Sequence, residues 1–243
     1  MSEQSQRANP TILALIPAYN ETSRIRPVIA QALQFLPVLV VDDGSADATA
    51  AVAEEAGAQV VRHAKNQGKG AALKTGYRWA LDQGYAAVVM LDADGQHDPN
   101  EIPLFLAARR ERCGDLIIGA RDYKKMPLVR CFTNHIGRWT FSWAMGEYIP
   151  DNQSGYRLVS RPLMERLVDS REEGFHFEVE MIMTCVKNSL KLDWVPIQTI
   201  YRGESSHINP IEHVPNFFRV VLNARREMQA WRAHRQPGSG KTG

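Results

Sequence analysis

Between Thr11 and Gly119, short apolar runs alternate with longer stretches of helical periodicity, and this alternation constrains the fold more than any other feature of the chain. The runs are Thr11–Ile16, Val38–Val41, Gln59–Val61, Ala86–Leu91 and Asp115–Gly119. They are continuous enough to predict strands covered on both faces of a sheet. Helices are predicted over Glu21–Phe35, Ala46–Ala56, Gly70–Gln83 and Glu101–Arg112, and Pro99 suits the start of the last. Repetition of this kind builds βαβ units, so the expected class is α/β: a single Rossmann-like, mostly parallel sheet with helices on both faces. After Arg121 the alternation stops. An amphipathic segment with Trp139, Phe141 and Trp143 leads to an expected edge strand over Gly155–Ser160, a helix over Phe175–Lys187 and a strand over Lys191–Tyr201. A C-terminal amphipathic helix over Ile211–Ala233 completes the reading.

At 243 residues the chain suits one α/β domain with attached elements. The net charge of +2 decides little about partners, but its distribution is uneven: between Arg219 and Arg235, Arg219, Arg225, Arg226, Arg232 and Arg235 stand against Glu227 alone. No nucleic-acid partner is expected. The three cysteines, Cys113, Cys131 and Cys185, are odd in number and widely spaced, which favours a reducing compartment over a disulfide framework or a zinc site. The polar opening MSEQSQRANP has no apolar core of the kind a secretory signal needs. The most apolar long window, Pro127–Pro150, is interrupted by Arg130, His135 and Arg138, which argues against a membrane span.

In open α/β sheets ligands bind where strands end and helices begin, and the informative residues fall there. LDADGQHDP (Leu91–Pro99) follows the fourth strand. Its Asp92 and Asp94 flank one small residue and, with Gln96 and Asp98, offer hard oxygen ligands for Mg²⁺ or Mn²⁺, although an acidic turn has the same composition. VVDDGSADAT (Val40–Thr49) ends the second strand with Asp42 and Asp43, groups able to accept from a base or a ribose, while Ser45 or Asp47 suits a helix cap. IPAYNE (Ile16–Glu21) ends the first with Pro17, Tyr19 and Glu21. NQGKGAALKTG (Asn66–Gly76) sets glycines and Lys69 at a helix start, where free N–H groups favour an anion, but it lacks the third glycine of a dinucleotide fingerprint. The terminal GSGKTG has Arg235 where a phosphate loop needs its leading glycine, so it is read as tail.

Taken together, PAYNE, VDDGS, N-x-G-K-G-A-A-L and DADGQ resemble glycosyltransferase family 2, in particular its dolichyl- or polyprenyl-phosphate sugar transferase branch. The likeness runs from about Thr11 into the final helix and includes Gly119–Arg121, Arg130 with Asn134, Asp151–Arg157 (DNQSGYR), Phe177–Glu180 (FEVE) and Val195–His207. It implies a GT-A catalytic domain over residues 11–209 and a C-terminal amphipathic helix over 210–235, between disordered tails at 1–10 and 236–243. It further implies that Asp92, Asp94 and Gln96 hold Mg²⁺ or Mn²⁺. Pro17, Tyr19, Glu21, Asp43 and Lys69 would bind the nucleotide diphosphate sugar, and Arg121, Arg130, Arg202 and His207 would face donor and acceptor phosphates. Where some members carry lysine this chain has His207, which makes a pairing there pH-dependent.

The chemistry so implied is an inverting displacement moving a hexose, from a GDP-mannose or UDP-glucose type of donor, onto a polyprenyl or dolichyl phosphate. Such an acceptor is already ionised and needs no base. A hydroxyl acceptor would need one, with Asp151, Glu178 and Glu180 as the candidates. A sugar nucleotidyltransferase is disfavoured because it would want a basic, glycine-rich loop where PAYNE stands, and a non-enzymatic sensor would have shed groups that are present here. The expected location is cytoplasmic, with peripheral contact at the cytoplasmic face of a membrane or attachment through a membrane-protein partner. The apolar stripe Val214, Phe217, Phe218, Val221, Leu222, Met228 and Trp231 would either lie in an anionic bilayer interface or dock on the core, docking being favoured for at least its first half.

Overall fold

The computed structural model describes residues 12–121, 128–170, 176–198 and 210–235, except for the side chains of 128–136, 176, 210–218 and 235. The predicted apolar runs form strands β1 (Ile12–Ala18), β2 (Val38–Asp42), β3 (Gln59–Arg62), β4 (Ala87–Met90) and β5 (Leu116–Arg121). The helices between them are α1 (Ile25–Ala32), α2 (Thr49–Glu55), α3 (Lys69–Asp82) and α4 (Ile102–Arg112), the last entered through a 3-10 turn at Pro99–Glu101. Then follow α5 (Leu128–Met145), β6 (Arg157–Ser160), α6 (Arg161–Leu167), α7 (His176–Lys187), β7 (Leu192–Ile197) and α8 (Pro210–Arg235).

The seven strands form one sheet in the order β3-β2-β1-β4-β6-β5-β7. Every pairing is parallel except those of β6, which runs antiparallel to both β4 and β5. Alternate residues of the buried strands feed opposite cores. Leu13, Leu15, Leu39, Val41, Val88 and Met90 pack with α3 and α5–α8, whereas Ala14, Ile16, Val38, Val40 and Val89 pack with α1, α2 and α4. This is the expected α/β architecture with helices on both faces.

Three details position the site. The chain steps from β1 outward through β2 and β3, then returns to the other side of β1 as β4, so the switch point lies between β1 and β4, where ligands of open α/β sheets bind. Helix α3 lies directly on β1: a Cβ at Gly76 would meet Leu15 Cδ1 at 2.3 Å, so the absence of a side chain sets how closely the helix carrying Lys69 approaches the sheet. Finally, β6 is not the edge strand expected. It is interior, every one of its residues is buried, and Arg157 stands opposite Met90 on β4 and Ile118 on β5. Running antiparallel, β6 begins where β4 ends, which carries Asp151–Tyr156 to the same end of the sheet as Asp92. The edges are β3 and β7.

Candidate active site

Beyond the ends of β1, β2 and β4 lies a cavity of about 410 Å³, lined among others by Pro17, Tyr19, Glu21, Asp43, Lys69, Asp92 and Asp94. All seven of these residues were singled out from sequence. Tyr19 is 47% exposed.

The loops after β1 and β2 are joined side chain to backbone. Asn20, at φ 56°, accepts from the Ala46 N–H through its Oδ1 (2.9 Å), and its own N–H donates to Ser45 Oγ (2.9 Å). The Glu21 N–H donates to Thr49 Oγ1 (2.8 Å), and Asp47 Oδ1 accepts from the Thr49 N–H (3.0 Å), although the N-cap of α2 is Ala48 rather than Ser45 or Asp47. Glu21 also pairs with Arg24 (3.0 Å). Asp43 accepts from the N–H groups of Gln67 (2.9 Å) and Gly68 (2.7 Å) and from His63 Nδ1 (2.7 Å), whose Nε2 meets Thr75 Oγ1 (2.9 Å). It is thus the clasp of the loop that leads into α3. Gly44 allows that loop to close, since at φ +72° a Cβ there would lie 2.4 Å from the Lys65 carbonyl carbon.

Lys69, from α3, reaches Asp92 Oδ1 (2.7 Å) and Glu178 Oε1 (3.0 Å). Burial opposes its charge, yet the two carboxylates outweigh burial and hold the ammonium above its ordinary value. Burial likewise works against ionised Asp92, but the Lys69 ammonium beside it brings its carboxyl down to about 2. Gly155 closes over this pair: a Cβ would stand 2.9 Å from Asp92 Oδ2 and 3.0 Å from Lys69 Nζ. Asp94 accepts from the Gln96 N–H (2.9 Å), while the Gln96 side chain is exposed and is not among the residues lining the cavity.

Sequence reasoning quoted His97 within its motif but gave it no role. Its imidazole is buried, which pushes it below its ordinary value and keeps the ring neutral, and Nδ1 accepts the Asp92 N–H (3.1 Å). The ring lies 5.0 Å from that of Tyr156, which in turn sits 4.4 Å from Phe105 and donates its hydroxyl to the Asp98 carbonyl (3.1 Å). One cluster of tilted rings therefore holds both ends of the DADGQHD loop. The signal available was position alone: a histidine between two acids beside a buried strand.

On the far side, Arg121 ends β5 and grips Asp151 with two bonds, Nε to Oδ2 (2.7 Å) and Nη2 to Oδ1 (3.0 Å). Burial raises the cost of ionising Asp151, but the guanidinium more than offsets it and holds the carboxyl below its usual range. Glu178 is engaged by Lys69, and Glu180, on the same helix, by the Ser170 hydroxyl. Arg157 is fully buried and donates to the carbonyls of Ser154 (2.7 Å), Asn152 (2.9 Å) and Glu178 (2.6 Å). Arg130 lies on α5 with its side chain outside the described residues; Arg202 and His207 lie outside them altogether.

The glycosyl transferase family 2 model matches residues 14–167, which takes in every strand-end loop described above. The chain belongs to that family. This family 2 glycosyltransferase is 32% identical over 238 residues to the undecaprenyl-phosphate mannosyltransferase of Micrococcus luteus, covering 89% of this chain and 96% of the relative. It is 30% identical over 220 residues to the UDP-N-acetylglucosamine–dolichyl-phosphate N-acetylglucosaminyltransferase of Methanococcus voltae, covering 80% and 87%. Such relatives bear out its resemblance to the polyprenyl-phosphate branch. In fold it matches glucosyl-3-phosphoglycerate synthase from Mycobacterium tuberculosis, solved with Mn²⁺, UDP and glucosyl-3-phosphoglycerate. The TM-score is 0.69 at 20% identity, over 95% of this chain and 82% of that one. The expected GT-A fold and glycosyltransferase activity therefore stand.

Proposed function

We propose that the enzyme transfers a hexose from a nucleotide diphosphate sugar to a polyprenyl or dolichyl phosphate, in one displacement with inversion at the anomeric carbon. The observation that carries this reading is the meeting of Tyr19, Glu21, Asp43, Lys69, Asp92 and Asp94 around one cavity at the sheet's switch point. Relatives named for undecaprenyl and dolichyl phosphate support the acceptor. They transfer different sugars, so the hexose and the base of the donor are left to experiment.

Asp92 and Asp94, with Gln96 nearby, are the residues that would hold Mg²⁺ or Mn²⁺. Among the described residues no three acids, histidines or cysteines cluster into a closed metal site. Two carboxylates on a cavity wall fit instead an ion that shares its coordination with the oxygens of a phosphate ligand. When bound, such an ion supplies positive charge against the departing nucleotide diphosphate. The protein's own contribution is position and charge. The Asp43 clasp fixes the loop before Lys69, His97 packed on Tyr156 fixes Asp92, and Asp151 holds the Arg121 guanidinium in one orientation. Arg130, Arg202 and His207 are proposed to complete the phosphate contacts. Asp151, Glu178 and Glu180 each carry a partner, which supports an acceptor oxygen that is already ionised over a hydroxyl awaiting a base. Residues 11–209 are the proposed catalytic domain, with α8 as its C-terminal attachment, working in the cytoplasm at a membrane surface. No described helix is long and apolar enough to cross a membrane.

The test is transfer from a panel of nucleotide sugars with Mn²⁺, with and without a short polyprenyl phosphate. One donor should give metal-dependent transfer, and Asp94→Ala should lower it on the order of 10²-fold or more. Donor binding without transfer to the lipid phosphate would move the acceptor to a hydroxyl, with Glu178 the next target; absence of donor binding would overturn the reading.

A further inference from the structure

Of the apolar stripe read on α8, Val221 and Met228 dock on the core and Leu222 is exposed, while the side chains of Val214, Phe217 and Phe218 lie outside the described residues. Val220, Val221, Ala224 and Met228 are buried against α5 and α7, and Trp231 packs against the same core. Two of its arginines are spent on α5. Arg225 lies 3.6 Å over the Trp143 ring and donates to the Trp143 carbonyl (2.7 Å), and Arg232 donates to the Met145 carbonyl (2.5 Å), so both sit at the negative end of the α5 dipole.

The seam so formed carries three of the four exposed aromatics among the described residues, Tyr19 being the other. Trp139 is 71% exposed, Tyr148 67%, Trp143 45%, and Leu222 beside them 48%. Trp139 and Trp143 stand one turn apart on α5, while Leu222 lies on the stripe of α8 shared with exposed Arg219 and Arg226. Arg138 leans toward the Tyr148 ring at 5.9 Å. The acids nearby are Glu147 and Glu227, and Glu227 is paired with Lys187. Tyr148 lies three residues before Asp151, the partner of Arg121, so the chain leads directly from the seam to that pair.

We propose that this α5–α8 seam is the surface by which the enzyme docks on an anionic bilayer, Trp139, Trp143, Tyr148 and Leu222 entering the headgroup layer and Arg219 and Arg226 meeting anionic headgroups. Tryptophan and tyrosine favour that layer, and basic side chains around them supply attraction to acidic lipid. A second copy of this chain fits poorly, because a two-fold contact through the seam would set its arginines against themselves. The proposal rests on the lipid-phosphate acceptor proposed above, since it brings the site to where such an acceptor lies.

The experiment is co-sedimentation of the whole chain with vesicles of phosphatidylcholine, with and without phosphatidylglycerol, free of polyprenyl phosphate. Wild type should bind the anionic vesicles and release with added salt. Trp139→Ala should weaken binding about tenfold, and Arg226→Glu by a further tenfold or so. Leu222→Ser, which leaves the Arg225–Trp143 stack in place, should weaken it by a smaller factor. Transfer to a short, water-soluble isoprenyl phosphate should be unchanged in all three, which also shows that they fold. Equal binding by wild type and variants, no binding by wild type, or a dimer that Trp139→Ala dissociates would each overturn the seam as a membrane surface. Loss of transfer to the soluble acceptor in wild type, with vesicle binding intact, would sink the acceptor reading instead.

Discussion

The two halves of the sheet solve opposite problems at their loops. Around the ends of β1, β2 and β4 the prevailing contact is an oxygen-bearing side chain accepting from backbone N–H: Asn20 from Ala46, Asp43 from Gln67 and Gly68, Asp47 from Thr49, Asp94 from Gln96. Across β5–β7 and the last helices such contacts recur, as at Asp151, but guanidinium groups donating to carbonyls are added to them: Arg157 to Ser154, Asn152 and Glu178, Arg225 to Trp143, Arg232 to Met145. The reason is geometric. Parallel strands that turn directly into helices leave free N–H groups at the loop, whereas the long returns after α5 and into antiparallel β6 leave free carbonyls. One half thereby gathers acids at the cavity, and the other uses arginines to hold its own loops and helix ends.

The sharpest way to break this contrast is Arg157→Leu. Leucine fits an apolar strand but abandons the three carbonyls that Arg157 serves in a fully buried site. Stability measured by urea unfolding should fall by roughly 3–5 kcal/mol. A loss below about 1 kcal/mol would mean that water or a shift of the loop can replace the guanidinium, and the contrast would then be incidental.

Arg157 also marks where the sequence ceased to be readable. The apolar runs and helical periods up to Gly119 report burial directly for β1, β2, β4 and β5, whereas β3, expected to be covered on both faces, lies at the sheet edge with no residue buried. At Gly155–Ser160 a strand was foreseen, but an arginine in a short run reads as an exposed position, and an edge was inferred. What makes it interior is tertiary: carbonyls from the loop before it and from α7 surround the side chain. The short helix α6 went unseen for a related reason, since it follows β6 without an intervening turn signal. Phe141 and its neighbours Trp139 and Trp143 look alike in sequence, yet Phe141 is wholly buried and the tryptophans are exposed, because α8 covers only one side of α5. Among the candidate site residues, those at the ends of β1, β2 and β4 and at the start of α3 were legible because fold class alone sets them together. That Asp43 would clasp a loop, that His97 would anchor Asp92 and that Asp151 would be committed to Arg121 depends on distances no spacing encodes.

The next effect separates charge from geometry in the arginine half. Arg121→Lys keeps the charge but replaces a two-pronged contact with Asp151 by a single point. About 1.5–3 kcal/mol is at stake in such a charged pair, so kcat/KM should drop roughly tenfold to a hundredfold with the fold intact. Full activity would show that charge alone suffices. In the acid half, Asp43→Asn is the counterpart: an amide NH₂ must face one of the donors from Gln67, Gly68 or His63. A cost of about 1–2 kcal/mol should appear as a donor KM raised about tenfold, with kcat nearly unchanged. If kcat fell instead, Asp43 would act on the reaction itself rather than through the loop.

The smallest expected effect falls where the halves touch. Gly155 belongs to the loop held by Arg157, yet an added Cβ would press on Asp92 Oδ2 at 2.9 Å and Lys69 Nζ at 3.0 Å, both of which belong to the donor side. These atoms are the ends of side chains and can give by a few tenths of an ångström, so Gly155→Ala should change stability by less than about 1 kcal/mol. The shift must nevertheless move Asp92 relative to Asp94. The expected readout is a change of a few fold in the Mn²⁺ concentration that half-activates transfer, measured by titration at saturating donor, with little change in urea unfolding. If both stay at wild-type values, the two halves meet without mechanical coupling, and the donor side is organised by its own carboxylates alone.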